Sequence, residues 1–573
     1  MAIMMKKYAR LVRLLMAAGL LVGAAASLGQ AEVKPEPASA SAKAPADTSA
    51  SAKASEGTPA AASHAAPSGD PAGVRTGGAA DLIGASSGAP TAEDLKKLSA
   101  AEPLAAKVAD AAGHNRVALN MAWTLLCGFL VMFMQTGFAL VETGFCRAKN
   151  ASHTMAMNIM IYCIGLLAYW ACGFAIQMGG VGPVAVLGGG GVLNGEFTLH
   201  LFGKDLGLFG TRGFFLSGNC YDSVVFAIFL FQMVFMDTAA TIPTGAMAER
   251  FKFSAFVVYG FLMSGLLYPL YANWVWGGGW LSQLGTNFGL GHGHVDFAGS
   301  SVVHMTGGVA ALAGALVLGP RIGKFNKDGS PNPIPGHHIP MAIVGTLVLA
   351  FGWFGFNTGS TLAASDLRIG VVAVNTMLAS AAGGFAAMSL MWFKYGKPDL
   401  TMSANGLLAG LVAITAPCAF VTSVSAVVIG GLAGALCCLS VFFFERVMKV
   451  DDPVGAISVH GVCGLWGVIS LGLFADGTYG DGFNGVKGCV KGLFYGDGGQ
   501  LGAQVAGSVT NLLFVFCAAY LFFKILDRIM GIRVASDIER EGLDQYEVAA
   551  AAYPEFNLRQ LPFSSGYSSK PRQ

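Results

Sequence analysis

The sequence predicts an all-α protein that crosses a membrane many times, and three observations carry this prediction. Hydrophobic residues make up 54% of the 573 residues and charged residues only 12%, about half the charged share of an ordinary soluble domain. Apolar runs of about twenty residues recur between short polar hinges, and about twenty is the length a helix needs to cross a bilayer. These runs lack the period-two alternation of membrane β-barrel strands, so the crossings are predicted to be helical.

Composition also excludes several functions. The formal net charge of +2 provides no basic stripe for a phosphate backbone, so no nucleic-acid partner is expected. Eleven cysteines in 573 residues are too dilute for a disulfide scaffold. The sequence contains no CxxC, CxxCH, P-loop or His-rich cluster, so no cofactor is expected and a membrane enzyme is a weak alternative.

The N-terminus is typical of an exported protein. Basic residues precede an apolar run over 14–28 and small residues lead to Ala31, so residues 1–31 are predicted to be a signal peptide. Residues 32–115, rich in Ala, Pro and Ser, are predicted to be a disordered extracytoplasmic segment, although 91–112 has a weak helical period that fits a surface helix. The membrane domain is placed at 116–531 and a cytoplasmic tail at 532–573.

Eleven apolar segments are predicted to be transmembrane helices. Their approximate bounds are 117–141, 154–178, 223–245, 254–276, 298–319, 339–358, 369–393, 402–418, 422–444, 454–474 and 500–524.

The basic residues of the connecting loops predict the orientation, because cytoplasmic loops are enriched in Lys and Arg. With the mature N-terminus outside, the inner loops hold Arg147, Lys149, Arg250, Lys252, Arg321, Lys324, Lys327, Lys394, Lys397, Arg446 and Lys449. The outer loops hold only Lys204, Arg212, Arg368, Lys487 and Lys491. We therefore expect a multi-pass protein of the plasma (inner) membrane, in contact with membrane lipid, with its C-terminus in the cytoplasm.

An internal echo predicts a five-plus-five inverted repeat. The segment DFAGSSVVHMTGG has Asp296 eight residues before His304, and DPVGAISVHGVCG has Asp452 eight residues before His460. With five helices in each half, the second repeat runs through the membrane in the opposite sense, an arrangement that places a pathway between the halves. The signal is modest, because Asp near a helix start is also an ordinary N-cap.

Of the ten histidines, only His304 and His460 lie within apolar segments. Polar groups there are costly and usually pair with one another or line a pathway. One interpretation is a structural hydrogen bond that holds the two halves together. The other is functional: paired imidazoles present a nitrogen to a small polar molecule and relay a proton. A metal site is disfavoured, because two histidines without a third ligand are a poor zinc or copper set.

Several motifs in register resemble the ammonium transporter family, the Amt/Mep/Rh channels. They extend from about Asn120 to Tyr553 and include FQMVF, GAMAERFKF, VWGGGW, DFAGSSVVHMTGG, GWFGFNTGS and DPVGAISVHGVCG. The resemblance implies transport of ammonium or ammonia. It also implies a homotrimer with one pore per subunit and a tail that responds to a PII-type regulatory protein, although Val548 and Ala549 replace the usual His-Gly there.

The resemblance assigns roles to matching residues. Trp276 and Ser360 are implied to bind ammonium at the outer mouth, where the alternative for Trp276 is an interfacial-belt tryptophan. Phe235 and Phe356 are implied to be stacked rings that close the pore, with Phe235 also next to the binding site.

Two acidic residues are interpreted separately. Asp296 is expected to hold backbone near the site and not to bind the ion. Asp237 departs from the family pattern of small residues, and we expect it to face a neighbouring helix or subunit.

The implied mechanism is deprotonation of ammonium between Trp276 and the histidines, followed by conduction of ammonia. Potassium has a similar radius and the same charge but donates no hydrogen bond and carries no proton, so deprotonation separates the two ions. An ammonium sensor of the same fold and a Rh-like gas channel stay open as alternatives. Electrogenicity is open as well.

Two cysteines, Cys220 and Cys489, fall in loops that the charge distribution places outside. An oxidising compartment permits a disulfide between them. Two separate thiols are the equal alternative.

Overall fold

The computed structural model describes residues 69–85 and 88–557. The predicted signal peptide, residues 32–68 and 86–87 of the segment that follows it, and residues 558–573 of the tail lie outside the described residues.

In the part of the chain that the structure describes, ten helices are long and apolar enough to cross a membrane. They are α2 (Pro103–Phe145), α3 (Ala148–Met178), α4 (Ser223–Met247), α5 (Phe253–Trp276), α6 (Ser300–Leu318), α7 (Ile339–Gly359), α8 (Ile369–Tyr395), α10 (Ser423–Arg446), α11 (Ile457–Phe474) and α12 (Gly498–Met530). The shorter helices include α1 (Ala92–Ala101), α9 (Leu400–Thr415) and α13 (Ser536–Glu541), and single helical turns lie at Leu284–Phe288 and Pro554–Asn557. The mostly helical, multi-pass fold predicted from the sequence is confirmed.

The count of eleven crossings depends on α9. This helix has 16 residues, about 24 Å of rise, which is shorter than the roughly 30 Å of a bilayer's apolar core. Eleven crossings and the inverted repeat therefore stay predictions.

The structure differs from the expected disorder of residues 32–115 over the described end of that segment. Thr91 begins α1 with a capping box, in which its hydroxyl accepts a hydrogen bond from the Asp94 N–H and satisfies an otherwise unpaired donor. Helix α2 then begins at Pro103, a residue favoured in the first turn, and continues for 43 residues. The Ala-rich stretch 104–115 is thus the start of the first membrane helix, because alanine has the highest helix propensity.

A β-hairpin that the sequence did not predict lies between α3 and α4. Strands β1 (Glu196–Leu201) and β2 (Lys204–Gly210) pair antiparallel, with Leu201 opposite Lys204. Phe202 and Gly203 form the two-residue turn with φ of 54° and 71°, the positive values that match the twist of paired strands.

Two helices begin with a wider π-helical turn. These turns span Ser300–Met305 at the start of α6 and Ile457–Val462 at the start of α11. The second turn packs directly on α6 just after the first turn, since a Cβ added at Gly308 would lie 2.1 Å from the Gly461 nitrogen. π-Turns occur often at functional sites, and each of these two carries one of the membrane histidines.

Candidate functional site

The two membrane histidines meet where α6 and α11 cross. The Nδ1 atoms of His304 and His460 are 3.2 Å apart and the ring centroids 5.3 Å apart. Both residues are buried. One Nδ1–H donates to the other Nδ1, so the pair shares a single proton at this contact. The Nε2 of His304 is buried and makes no hydrogen bond within the described residues.

Asp296 fixes the turn that carries His304. Its Oδ1 accepts hydrogen bonds from the N–H groups of Gly299 and Ser300. Its Oδ2 accepts from the N–H groups of Ser301 and Val302 and from the Ser301 hydroxyl. Both oxygens are thus occupied by the helix start, where unpaired N–H groups favour a negative charge.

The second histidine turn is held in the same way. The Asp452 carboxylate accepts from the N–H groups of Val454, Gly455 and Ile457. Each turn also has a glycine with positive φ beside its aspartate: Gly299 at 117° and Gly455 at 80°. The sequence echo therefore has a local structural counterpart.

An aromatic column leads from the C-terminal end of α5 to the histidines. The Trp276 ring meets Phe235 edge-on at 5.9 Å, and Phe235 stacks on Phe356 at 4.0 Å between centroids. Phe356 in turn stacks on His304 at 5.5 Å. Four helices, α4 to α7, each contribute one ring, so the column depends on the packing of the whole domain.

The Trp276 end of the column has two side chains with polar groups. The Trp276 Nε1–H donates to the Asp296 carbonyl at 2.7 Å, which fixes the indole plane. The Ser360 hydroxyl donates to the Phe356 carbonyl at 2.8 Å and keeps its own lone pairs available as acceptors. Both side chains are partly exposed, and each contacts a residue that contributes to the column.

Trp353 is a site residue that the sequence analysis missed. Its ring stacks on His304 at 5.0 Å with 18° between the planes, and its Nε1–H donates to the Thr415 hydroxyl at 2.8 Å. It precedes Phe356 by three residues, a spacing that puts both rings on one helix face. The GWFGFNTGS motif contained this signal.

Asp237 lies apart from the column. It is 3% exposed, so it is buried within this chain and does not await a neighbouring subunit. Its Oδ1 makes no hydrogen bond in the described part of the chain. Two residues of helix rotate it by about 200° from Phe235, which turns it away from the column.

A buried ion-pair cluster lies at the opposite end of α4 and α6 from Trp276. Arg321 donates to Glu249 through Nη1 and to Asp451 through Nε, each at 2.8 Å. Burial acts to raise the pKa of Asp451, but Arg250 and Arg321 outweigh it and hold the pKa below its usual range.

The C-terminal tail docks next to this cluster. Its Asp544 accepts hydrogen bonds from the N–H groups of Ser152 and His153, near the start of α3. Asn150 accepts a further hydrogen bond from the Leu543 N–H.

Within the described residues, Cys220 and Cys489 form no disulfide and no metal site is found. Cys220 and Cys489 are both free thiols, so the disulfide considered from the sequence is not formed. No group of three or more His, Cys, Asp or Glu suited to a metal ion occurs in residues 69–85 and 88–557.

Comparison with known proteins gives a consistent picture. A family model described as Ammonium Transporter Family matches residues 122–553. Ammonium transporter Amt2 of Archaeoglobus fulgidus is 46% identical over 440 residues, which cover 76% of this chain and 89% of that protein. Ammonium transporter Amt1 of Haloferax mediterranei is 38% identical over 450 residues, 76% of this chain and 80% of that protein.

Two solved structures extend the likeness to the fold. A Sensor Amt Protein superposes with a TM-score of 0.65 at 35% identity, covering 76% of this chain and 99% of its own. Mep2 of Candida albicans superposes with a TM-score of 0.61 at 29% identity, covering 73% of this chain and 87% of its own.

Proposed function

This chain belongs to the ammonium transporter family, and from that premise we propose that it binds ammonium at Trp276, removes a proton and conducts ammonia past the histidines. The observation that carries the proposal is the continuous column from Trp276 through Phe235 and Phe356 to His304 and His460. The column orders the steps along one path.

Recruitment uses the indole face and the serine. A cation over the face of a tryptophan gains about 0.5 to 2 kcal/mol, depending on how far it is desolvated. Trp276 is held by its hydrogen bond to Asp296, so its orientation is fixed before the ion arrives. Ser360 supplies an acceptor for one ammonium N–H, which potassium cannot use because it donates no hydrogen bond.

Deprotonation follows from the barrier that the rings impose. Phe235 and Phe356 are buried and stacked at 4.0 Å, so the path between them opens only when the rings move. An ion entering this apolar stretch loses its hydration at a cost of many kcal/mol, whereas neutral ammonia does not carry that cost. Selection therefore rests on the ability of ammonium to lose a proton.

Beyond Phe235 and Phe356 along the column, the imidazole rings of His304 and His460 provide polar groups for ammonia to contact. The unpartnered Nε2 of His304 offers a hydrogen-bonding group to ammonia in an otherwise apolar passage. The Nδ1 contact between His304 and His460 also offers a route for a separately moving proton, because imidazole accepts on one nitrogen and donates from the other.

The assembly and its surroundings belong to the same proposal. We expect a homotrimer in the plasma (inner) membrane, with the mature N-terminus outside and the C-terminus in the cytoplasm. The docked tail around Asp544 is the surface on which a PII-type protein would act.

Uptake of labelled methylammonium, in cells that lack their own transporters, tests the function. We expect saturable uptake that ammonium inhibits and potassium does not. Varying pH at fixed total substrate distinguishes flux that follows ammonium from flux that follows ammonia, as a Rh-like gas channel would. Absence of uptake by correctly assembled protein contradicts the proposal.

A sensor is the second candidate, favoured by the likeness to the Sensor Amt Protein over 99% of that chain. A sensor binds ammonium without conducting it at a useful rate. Ammonium-dependent thermal stabilisation of the purified protein, without uptake, is the result that favours this role.

A further inference from the structure

One contact between the β-hairpin and the outer end of α5 is made by a partly buried carboxyl group. Glu196, the first residue of β1, accepts a hydrogen bond on Oε2 from the Asn273 Nδ2 at 3.2 Å. Asn273 is fully buried and lies three residues before Trp276. Its backbone carbonyl accepts the N–H groups of Gly277 and Gly279, so Asn273 holds the turn that follows Trp276.

Two oxygen atoms at this contact are buried and unsatisfied. Glu196 Oε1 and Asn273 Oδ1 make no hydrogen bond within the described residues. Tight glycine packing borders both: a Cβ at Gly207 would lie 2.9 Å from Oε1 and 3.1 Å from the Gly279 Cα, and a Cβ at Gly279 would lie 2.7 Å from Oδ1. Two unpaired buried acceptors are costly, and a buried carboxylate charge is more so.

We propose that Glu196 carries a proton on Oε1 and forms a carboxylic acid–amide pair with Asn273, which positions the Trp276 segment. One proton satisfies both oxygens: the Glu196 O–H donates to Asn273 Oδ1, while the Asn273 Nδ2–H donates to Glu196 Oε2. Loss of that proton to solvent leaves two acceptors facing each other and opens the pair.

The surroundings favour the neutral acid. Burial raises the pKa of Glu196 to about 8, although the hydrogen bond from Asn273 lowers it. The charged and titratable groups of the hairpin are His200, Lys204 and Asp205, near its turn, with Arg212 beside Gly195. From the ends of α3 and α5, the groups that face Glu196 are neutral: the Asn273 amide and the backbone at Gly180, where a Cβ would lie 2.1 Å from Glu196 Oε2. None of the salt bridges found in the described residues involves Glu196.

The pair lies at the joint between the hairpin and the outer mouth. Trp274 Nε1–H donates to the Leu208 carbonyl at 2.9 Å and the Trp280 N–H to the Gly207 carbonyl at 3.0 Å. The hairpin thus holds the α5 end at three points, of which only the one at Glu196 titrates. Glu196 is a positioning residue, and its effect on ammonium recruitment rests on the function proposed for Trp276.

The melting temperature of the purified protein, followed with pH, tests the protonation. Below about 4.5 both folded and unfolded chains hold this proton; between about 4.5 and about 8 only the folded chain holds it, so its contribution to stability falls with pH and then levels off. In Glu196→Gln the amide donates to Asn273 at every pH. The wild-type melting temperature minus that of the variant is therefore expected to decline over this interval and become constant above it.

Glu102→Gln is the matched control, because Glu102 is exposed and takes part in none of the salt bridges found in the described residues. Its difference from wild type is expected to lack a decline between about pH 4.5 and about pH 8. A Glu196→Gln difference that is constant over that interval overturns the proposal.

Methylammonium uptake tests the positioning. At about pH 9, where Glu196 has lost its proton, the half-saturation concentration of wild type is expected to rise several-fold above that of Glu196→Gln, and at about pH 6 the two are expected to agree. Equal values at both pH values overturn the positioning role. If no variant takes up substrate at any pH, the proposed transport function fails, while the melting temperatures still decide the state of Glu196.

Discussion

Three rings of the candidate site pack around His304. Trp353 lies against its ring at 5.0 Å, Phe356 at 5.5 Å and His460 at 5.3 Å between centroids. Asp296 orients the turn that carries it through four backbone N–H groups. A side chain positioned by this many neighbours keeps one rotamer, which a pathway for a small neutral molecule requires.

We expect His304→Ala to fold and reach the membrane but to lose at least about tenfold in methylammonium uptake, because it removes both the unpartnered Nε2 and the imidazole contact. Uptake is measured against the amount of assembled protein, with His200→Ala, an exposed histidine on the hairpin, as the control. If assembled His304→Ala shows an unchanged uptake rate and substrate selectivity, the histidine pair has a purely structural role.

Trp276 gives a prediction about affinity. Leucine keeps apolar volume but has no π face, so Trp276→Leu should raise the half-saturation concentration for methylammonium by about 2- to 30-fold, the equivalent of about 0.5 to 2 kcal/mol. Trp280→Leu is the comparison, since that tryptophan is not part of the column. An unchanged response at low substrate would exclude Trp276 as a recruitment residue.

Individual residues were predictable from sequence to different degrees. Among 39 phenylalanines, only position in the motifs selected Phe235 and Phe356, and the structure stacks these two rings. Trp353 was missed because its role depends on a ring from another helix, and no spacing within one segment reveals that contact. The sequence also could not show whether Cys220 and Cys489 pair, because the distance between two loops depends on the tertiary structure. Both are free thiols.

At the scale of elements, apolar run length was the informative signal. All eleven predicted segments coincide with helices of the structure, since a helix is the only way to pair every backbone group of such a run within one segment. The hairpin was not predicted, although β1 (EFTLHL) alternates polar and apolar residues, because its strands have only six and seven residues and lie between much longer apolar runs. The start of α2 was assigned to a disordered segment with a surface helix over 91–112, and not to the membrane helix, because an Ala-rich composition fits both disorder and helix.

The aspartate-capped turns are the elements that a single substitution tests best. In Asp296→Asn one oxygen becomes an NH₂ group that faces backbone donors, so at least one buried N–H is left unpaired. We expect a stability loss of at least about 2 kcal/mol, seen as a lower melting temperature in detergent. Asp328→Asn, in an exposed turn, is the control and should leave the melting temperature nearly unchanged; an equal effect of both would contradict the capping role.

At the scale of the whole molecule, a charge cluster and the docked tail connect distant parts of the chain. Arg321 joins Glu249 to Asp451 across 202 positions of sequence. Asp544 brings the tail to the start of α3.

The family membership inferred from motifs in about 120–553 is confirmed by the match over 122–553, because motifs distributed over the whole domain identify it more securely than any one residue.

The position of the tail also bears on the number of crossings. The tail contacts the start of α3, whereas the hairpin follows the end of that helix, which has 31 residues and a length of about 46 Å. Tail and hairpin therefore lie on opposite sides of any bilayer that α3 crosses. Ten crossings between α2 and α12 would put the tail on the side of the hairpin, so from this arrangement we predict that α9 crosses as well.

Cysteine labelling tests both the crossing number and the orientation. Asp205 on the hairpin is exposed, and so is Tyr546 on the tail. In a background without the accessible Cys163, Cys489 and Cys517, we expect a membrane-impermeant maleimide to label Asp205→Cys in intact cells and Tyr546→Cys only after permeabilisation. Labelling of both in intact cells would mean an even number of crossings. Labelling of Tyr546→Cys alone would keep the odd number and reverse the orientation, placing the basic loops outside, against the preference of Lys and Arg for the cytoplasmic side.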